Sequence, residues 1–109
     1  MKLVVAIVQD KDSLVLSQSL IEANLRSTRL ASTGGLLRNG STTFLIGVED
    51  ERLQEALDVI KENCSKREEI VMQQSMLGAG LESLLTYPLE VAVGGATVFV
   101  LPIEQFNQF

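Results

Sequence analysis

The sequence contains no histidine. That removes the usual general base near neutral pH and the commonest metal ligand. A single cysteine, Cys64, excludes an intrachain disulfide and any zinc site built on several cysteines. Cys64 falls on the apolar stripe of a predicted helix, the place of a small core residue rather than a nucleophile. Long apolar runs are missing too. The longest, LVVAIV, cannot span a bilayer, so no membrane insertion is expected. No basic-then-apolar leader with a cleavage site is present, and a cytoplasmic protein is expected. Neither GxxxxGKS/T nor GxGxxG occurs in full. Serine and carboxylates are plentiful, but none is marked as a nucleophile paired with a base. The expectation is a protein that is not an enzyme, with no catalytic residue and no metal site.

Positive charge is also scarce. Nine Lys and Arg stand against 14 Asp and Glu, a net charge of −5. A general nucleic-acid or anionic-membrane binder needs clustered cations, so the charge argues against both, and no nucleic-acid partner is expected. A small anionic ligand is not, because a local pocket can be positive on an acidic protein.

What the chain does have is enough apolar residue, 46%, for one core in a chain of 109 residues. It also has an internal repeat. VAIVQD (Val5–Asp10) and LIGVED (Leu45–Asp50) are apolar runs closed by a polar-acidic pair. Each precedes a helical pattern and then a strand-like run near a Gly-Gly pair, Gly34-Gly35 or Gly94-Gly95. The second unit is longer, and its extra residues are expected between Ser65 and Pro88, the least periodic stretch.

In the second helix Leu53, Leu57, Ile60 and Cys64 share one face. Acidic residues crowd its start and Lys61, Lys66 and Arg67 its end, as the helix dipole favours. In the first, Leu16, Leu20 and Ala23 form the stripe. Asp10 or Asp12 is placed to cap its start, and Asn24 to end it. Strands are expected at Leu3–Val8, Ser27–Thr33, Thr42–Val48 and Val91–Leu101, the last broken at Gly94-Gly95 and ended by Pro102. The order βαββαβ is two split βαβ units, an α+β, ferredoxin-like sandwich in a single domain, 1–109.

Two helices cover only one face of such a sheet, yet LVVAIV and VFVL are apolar on both sides. The free face needs a cover: a second copy of the chain, or the Ser65–Pro88 segment folding over it. That segment carries Gly78, Gly80 and an apolar patch of Met72, Met76, Leu77 and Leu81. It reads either as a partner-contacting loop or as a disordered insertion.

The stretch ASTGGLLRNGSTTFLIGV (Ala31 to Val48) holds the candidate binding residues. Gly34 and Gly35 let a ligand approach the backbone, and exposed amides there can cradle an anion. Arg38 lies at the tip. Asn24, Arg26 and Thr28 alternate, so an extended segment presents an amide, a guanidinium and a hydroxyl on one side, a set suited to a base and a phosphate. A plain β-turn with Arg26 on an exposed edge strand fits the same spacing.

KLVVAIVQDKD, LASTGGLLRNGSTTFLIGVED and EVAVGGATVFVLPIEQFNQF together resemble the PII-like cyclic-di-AMP receptor proteins, nitrogen-regulatory PII-like signal-transduction proteins. The resemblance covers nearly the whole chain and is weakest over Ser65–Thr86. It implies a PII-like homotrimer of ferredoxin-like subunits, with a short loop at about 34–42 and a long one at about 65–88. It implies cyclic di-AMP bound at clefts between subunits, no cofactor beyond that ligand, and loop movement that regulates a protein partner of unknown identity. By position, the implied ligand contacts are Asn24, Arg26, Thr28, Gly35, Leu36, Leu37, Ser41 and Gly47, with Gly94, Gly95 and Gln108 from the C-terminal part. Gly47 would leave space where another residue projects a side chain into the pocket. The family commonly reads GGFLxxGNTTF where this chain reads GGLLRNGSTTF. Leu36 thus replaces a Phe that could stack on adenine, and Ser41 an Asn suited to its edge. The alternatives are a trimeric interaction module whose site has decayed at these two positions, and a site for another adenine nucleotide such as ATP.

Overall fold

Strand β1 (Lys2–Gln9) alternates as a half-covered strand should, with Val4, Ala6 and Val8 buried and the residues between them only partly so. The computed structural model that shows this describes residues 1–30, 40–74 and 86–109. Helix α1 (Asp10–Glu22) follows β1, then strand β2 (Ser27–Leu30) and strand β3 (Ser41–Val48). A short 3-10 turn (Asp50–Arg52) leads into helix α2 (Leu53–Cys64). Strands β4 (Arg67–Gln74), β5 (Thr86–Val93) and β6 (Ala96–Pro102) complete the chain.

The main sheet has the order β2-β3-β1-β6, with every neighbouring pair antiparallel. Both helices lie on one face. This mixed α+β arrangement fits the ferredoxin-like pattern. The core runs from Val4, Ala6 and Val8 through Phe44 and Ile46 to Leu16 and Leu20 of α1 and Ala56, Ile60 and Cys64 of α2. Burying each large aliphatic or aromatic side chain here contributes about 1.5–3 kcal/mol. The deepest line of α2 is Ala56, Ile60 and Cys64. Leu53 and Leu57, placed by periodicity on the core stripe, pack at its margin.

The α1 start differs from expectation. The residue at its N-cap is Gln9, with no side-chain cap. Neither Asp10 nor Asp12 caps the helix, because both carboxylates are used elsewhere. Asp10 accepts a hydrogen bond from the Thr42 hydroxyl. Asp12 is buried and pairs with Arg67 at 2.9 Å, joining α1 to the start of β4. Lys11 and Glu69 add an exposed second link, also at 2.9 Å.

The break expected at Gly94-Gly95 separates β5 from β6, and the two strands join different sheets. The segment before it departs from expectation. Residues 67–74, expected as part of a long connection, pair with β5 in a separate antiparallel ribbon, Arg67 opposite Val93 through Gln74 opposite Thr86. Residues 75–85, with Met76, Leu77, Gly78, Gly80 and Leu81, lie outside the described residues. The sheet face away from the helices carries Leu3, Val5, Ile7, Leu45, Phe99 and Leu101 in register. Leu30 (41% exposed), Leu101 (47%) and Phe99 (52%) stay open to solvent within this chain.

Candidate functional site

A cleft of about 730 Å³ opens where the end of α1 meets β2, the end of β3 and the segment after β6. That is the size range of small-molecule sites. Its walls include Asn24, Arg26, Thr28, Gly47 and Gln108, five of the residues proposed from sequence.

The end of α1 sets one wall. Asn24 adopts a left-handed φ of 59°, which an asparagine tolerates. The Asn24 N–H donates to the Ile21 carbonyl at 2.9 Å and the Leu25 N–H to the Leu20 carbonyl at 2.8 Å. This bond pair is a Schellman motif. Leu25 then buries against the core while Asn24 and Arg26 remain exposed on either side of it. The reversal therefore holds both polar side chains at the cleft. Arg52 secures it from the start of α2. Its guanidinium donates to the Ala23 carbonyl at 2.6 Å and the Asn24 carbonyl at 3.1 Å. Glu55 accepts from the same guanidinium at 3.0 and 3.1 Å. That hydrogen bond raises the pKa of Arg52 and lowers that of Glu55.

Arg52 and Arg67 are thus committed to carboxylates, whereas Arg26 pairs with no carboxylate among the described residues. An uncommitted guanidinium beside an amide and a hydroxyl can meet an anion and a polar ring edge together.

Gly47 sits on the open face of β3, opposite Leu3. Its φ is not left-handed, so its backbone does not require glycine. A Cβ there would meet only the Met1 methyl, at 3.9 Å. The glycine keeps cleft volume rather than backbone geometry.

Gly94 and Gly95 are different. Both have left-handed φ, 80° and 102°. A Cβ on Gly94 would lie 2.6 Å from the Ser65 carbonyl oxygen. The Gly94 N–H donates to Gln9 Oε1 at 2.7 Å and the Gly95 N–H to the Cys64 carbonyl at 2.6 Å. The backbone conformation of the break between β5 and β6 already requires glycine. Gly95 borders a separate cavity of about 320 Å³ between α2 and β6. Ser41 pairs with Gln9, at the same end of the sheet as Gly94. It lies roughly 20 Å along β3 from Gly47. One chain therefore does not bring Ser41, Gly94 and Gly95 to the cleft. Gly35, Leu36 and Leu37 lie outside the described residues.

Sequence reasoning missed Ser17, Ile21 and Phe106, which also line the cleft. Ile21 carried a signal: it is apolar, off the Leu16–Leu20 stripe, and 72% exposed.

The model of the cyclic-di-AMP receptor family matches residues 1–109, the whole chain. The chain belongs to the PII-like cyclic-di-AMP receptor family. A solved structure similar to it is that of a functionally unknown protein from Pediococcus pentosaceus ATCC 25745. The two are 48% identical over 99% of this chain and 96% of that one, with a TM-score of 0.80. Membership in the cyclic-di-AMP receptor family supports nucleotide binding and signalling, a receptor's role rather than an enzyme's. Among the described residues, no group of three or more Cys, Asp or Glu is arranged to hold a metal ion, and no helix is long and apolar enough to cross a membrane.

Proposed function

We propose that this receptor is a non-catalytic cytoplasmic signalling protein that binds cyclic di-AMP in the cleft beside Gly47. The cleft lies at a boundary between subunits of a homotrimer, and ligand binding changes loop conformation to regulate a protein partner. Gly47 carries the reading. Its backbone does not need glycine, and the absent side chain leaves room beside Arg26, Asn24 and Thr28. In the bound state Arg26 and Thr28 meet phosphate or ribose oxygens, and Asn24 and Gln108 meet polar edges of the nucleotide. The amides of 35–37 complete the contacts to base or phosphate.

Two observations support assembly. The exposed apolar face of Leu30, Phe99 and Leu101 calls for a cover, and copies of the chain supply one. The wide separation of Ser41 and Gly94 from the cleft on one chain is what a site shared between copies needs. There, the neighbour's Ser41 end closes the cleft.

The decisive experiment is calorimetric titration of the purified protein with cyclic di-AMP, cyclic di-GMP and ATP, beside sedimentation. The expected result is a trimer that binds cyclic di-AMP in preference to the other two. A monomer at working concentration overturns the shared cleft. No heat with cyclic di-AMP at high micromolar concentration overturns the ligand, and heat with ATP alone reassigns it.

A further inference from the structure

We propose that Phe106 is the stacking platform of the nucleotide cleft, carried there by the segment that follows β6. This rests on the cyclic-di-AMP reading of the site. The chain has four phenylalanines and no tryptophan. Phe44 is buried in the core, Phe99 lies on the open sheet face and Phe109 is fully exposed. Phe106 alone of the four lines the cleft, beside Arg26, Thr28, Gly47 and Gln108.

Phe106 is 63% exposed in the single chain. Packing within the chain therefore does not account for an aromatic side chain at this position. A purine presents flat π faces as well as polar edges. The polar residues of the cleft supply groups for the edges and the phosphates, an amide, a guanidinium and a hydroxyl, while Ile21 and Leu45 add aliphatic surface. An aromatic plane is what the rest of the lining lacks, and Phe106 supplies it. The segment is tethered at its base, where the Ile103 N–H donates to the Met1 carbonyl at 3.2 Å. Beyond that tether residues 104–109 form no helix or strand. The ring can therefore adjust onto a ligand without disturbing the sheet. Gln108, on the same segment, follows it to the cleft.

The test uses the full chain. Phe106→Ala is expected to weaken cyclic di-AMP binding roughly tenfold or more, while Phe106→Tyr keeps it near the native value. Phe106→Trp introduces the only indole, so its emission reports this site alone. Cyclic di-AMP is expected to change that emission, with a midpoint matching the calorimetric Kd. The ring is exposed, so all three variants should unfold at the native temperature, which circular dichroism verifies. Native affinity in folded Phe106→Ala, or unchanged emission of Phe106→Trp at saturation, overturns the platform while the nucleotide reading stands. Failure of the native chain to bind cyclic di-AMP overturns both.

Discussion

Arg52 holds the C-terminal turn of α1 by its carbonyls, donating to Ala23 at 2.6 Å and to Asn24 at 3.1 Å. The contact joins the first turn before α2 to the wall of the cleft. Helix-terminal carbonyls lack intrahelical partners, and a cation at that end also meets the favourable pole of the dipole. Arg52→Gln should therefore loosen the Asn24 reversal. The expected outcome is a lower Tm and about two- to tenfold weaker cyclic di-AMP binding, measured by calorimetry. Glu55→Gln should give a smaller effect in the same direction, because the guanidinium keeps its carbonyl acceptors.

Gly47→Val separates folding from binding. The position is strand backbone without left-handed φ, and valine suits a strand. Stability should stay within about 0.5 kcal/mol of native in denaturant melts. Cyclic di-AMP binding should be lost, since the added side chain fills the cleft. Native affinity in this variant would remove the spatial argument for Gly47.

Arg26→Glu tests charge at the same wall. Arg26 is exposed and pairs with no carboxylate among the described residues, so reversal should leave folding and oligomeric state unchanged. Losing a charge-assisted hydrogen bond to an anionic ligand should weaken binding by at least about tenfold. Sedimentation and titration on the same sample check both halves. Native affinity would exclude Arg26 from the anion contact.

Gly94→Ala should act on stability first. The left-handed φ of 80° and the close Ser65 carbonyl both oppose a Cβ. The backbone conformation alone costs an L-residue about 1–2 kcal/mol, and the contact adds to it. Chemical denaturation is the measurement. An unchanged midpoint would mean the break at Gly94-Gly95 tolerates a side chain and that glycine is there for another reason.

Cys64 gives a pH dependence with a definite sign. It is fully buried, and loss of hydration, followed by the Asp12 charge, pushes its thiol from an ordinary 9.0 up to about 11. Between these values the unfolded chain releases the proton while the folded chain keeps it. Stability is therefore full below pH 9 and declines as pH rises toward 11. Cys64→Ala should flatten that decline in melts across the same range. Alkylation of the native thiol at neutral pH should be slow, and fast in denaturant.

Much of the frame was legible because burial writes itself into spacing. Leu16 and Leu20 carry the helix period without reference to the rest of the chain, whereas LVVAIV is apolar on both sides and only the structure shows that Val4, Ala6 and Val8 face the core. Asn24 as a helix end and Gly94-Gly95 as a break were equally local, since each answers to its own backbone conformation. The β4–β5 ribbon was not legible. Arg67–Gln74 follows neither period cleanly, and Pro88 argues against a strand unless its missing N–H faces an open edge. The pairing of Arg67 with Val93 is a contact between distant segments that no local pattern encodes.

The candidate site divides along the same line. Alternation of Asn24, Arg26 and Thr28 left a plain turn open, and the family resemblance singled out these three and Gly47; Asn24 in fact lies in the left-handed turn before β2 rather than in an extended segment. Arg52 was hidden, because its acceptors lie 28 and 29 positions away in sequence. Ser41 and Gly47 look adjacent in sequence, yet an extended strand of roughly 3.3 Å per residue sends them to opposite ends of the sheet. By itself the sequence determined the order of the two helices and the four strands of the main sheet, the helical core stripes and the polar set between α1 and β2, all consequences of local period and residue chemistry. Only the tertiary structure decided which of the proposed residues meet. Strand register and helix docking, not sequence proximity, set the distances between side chains.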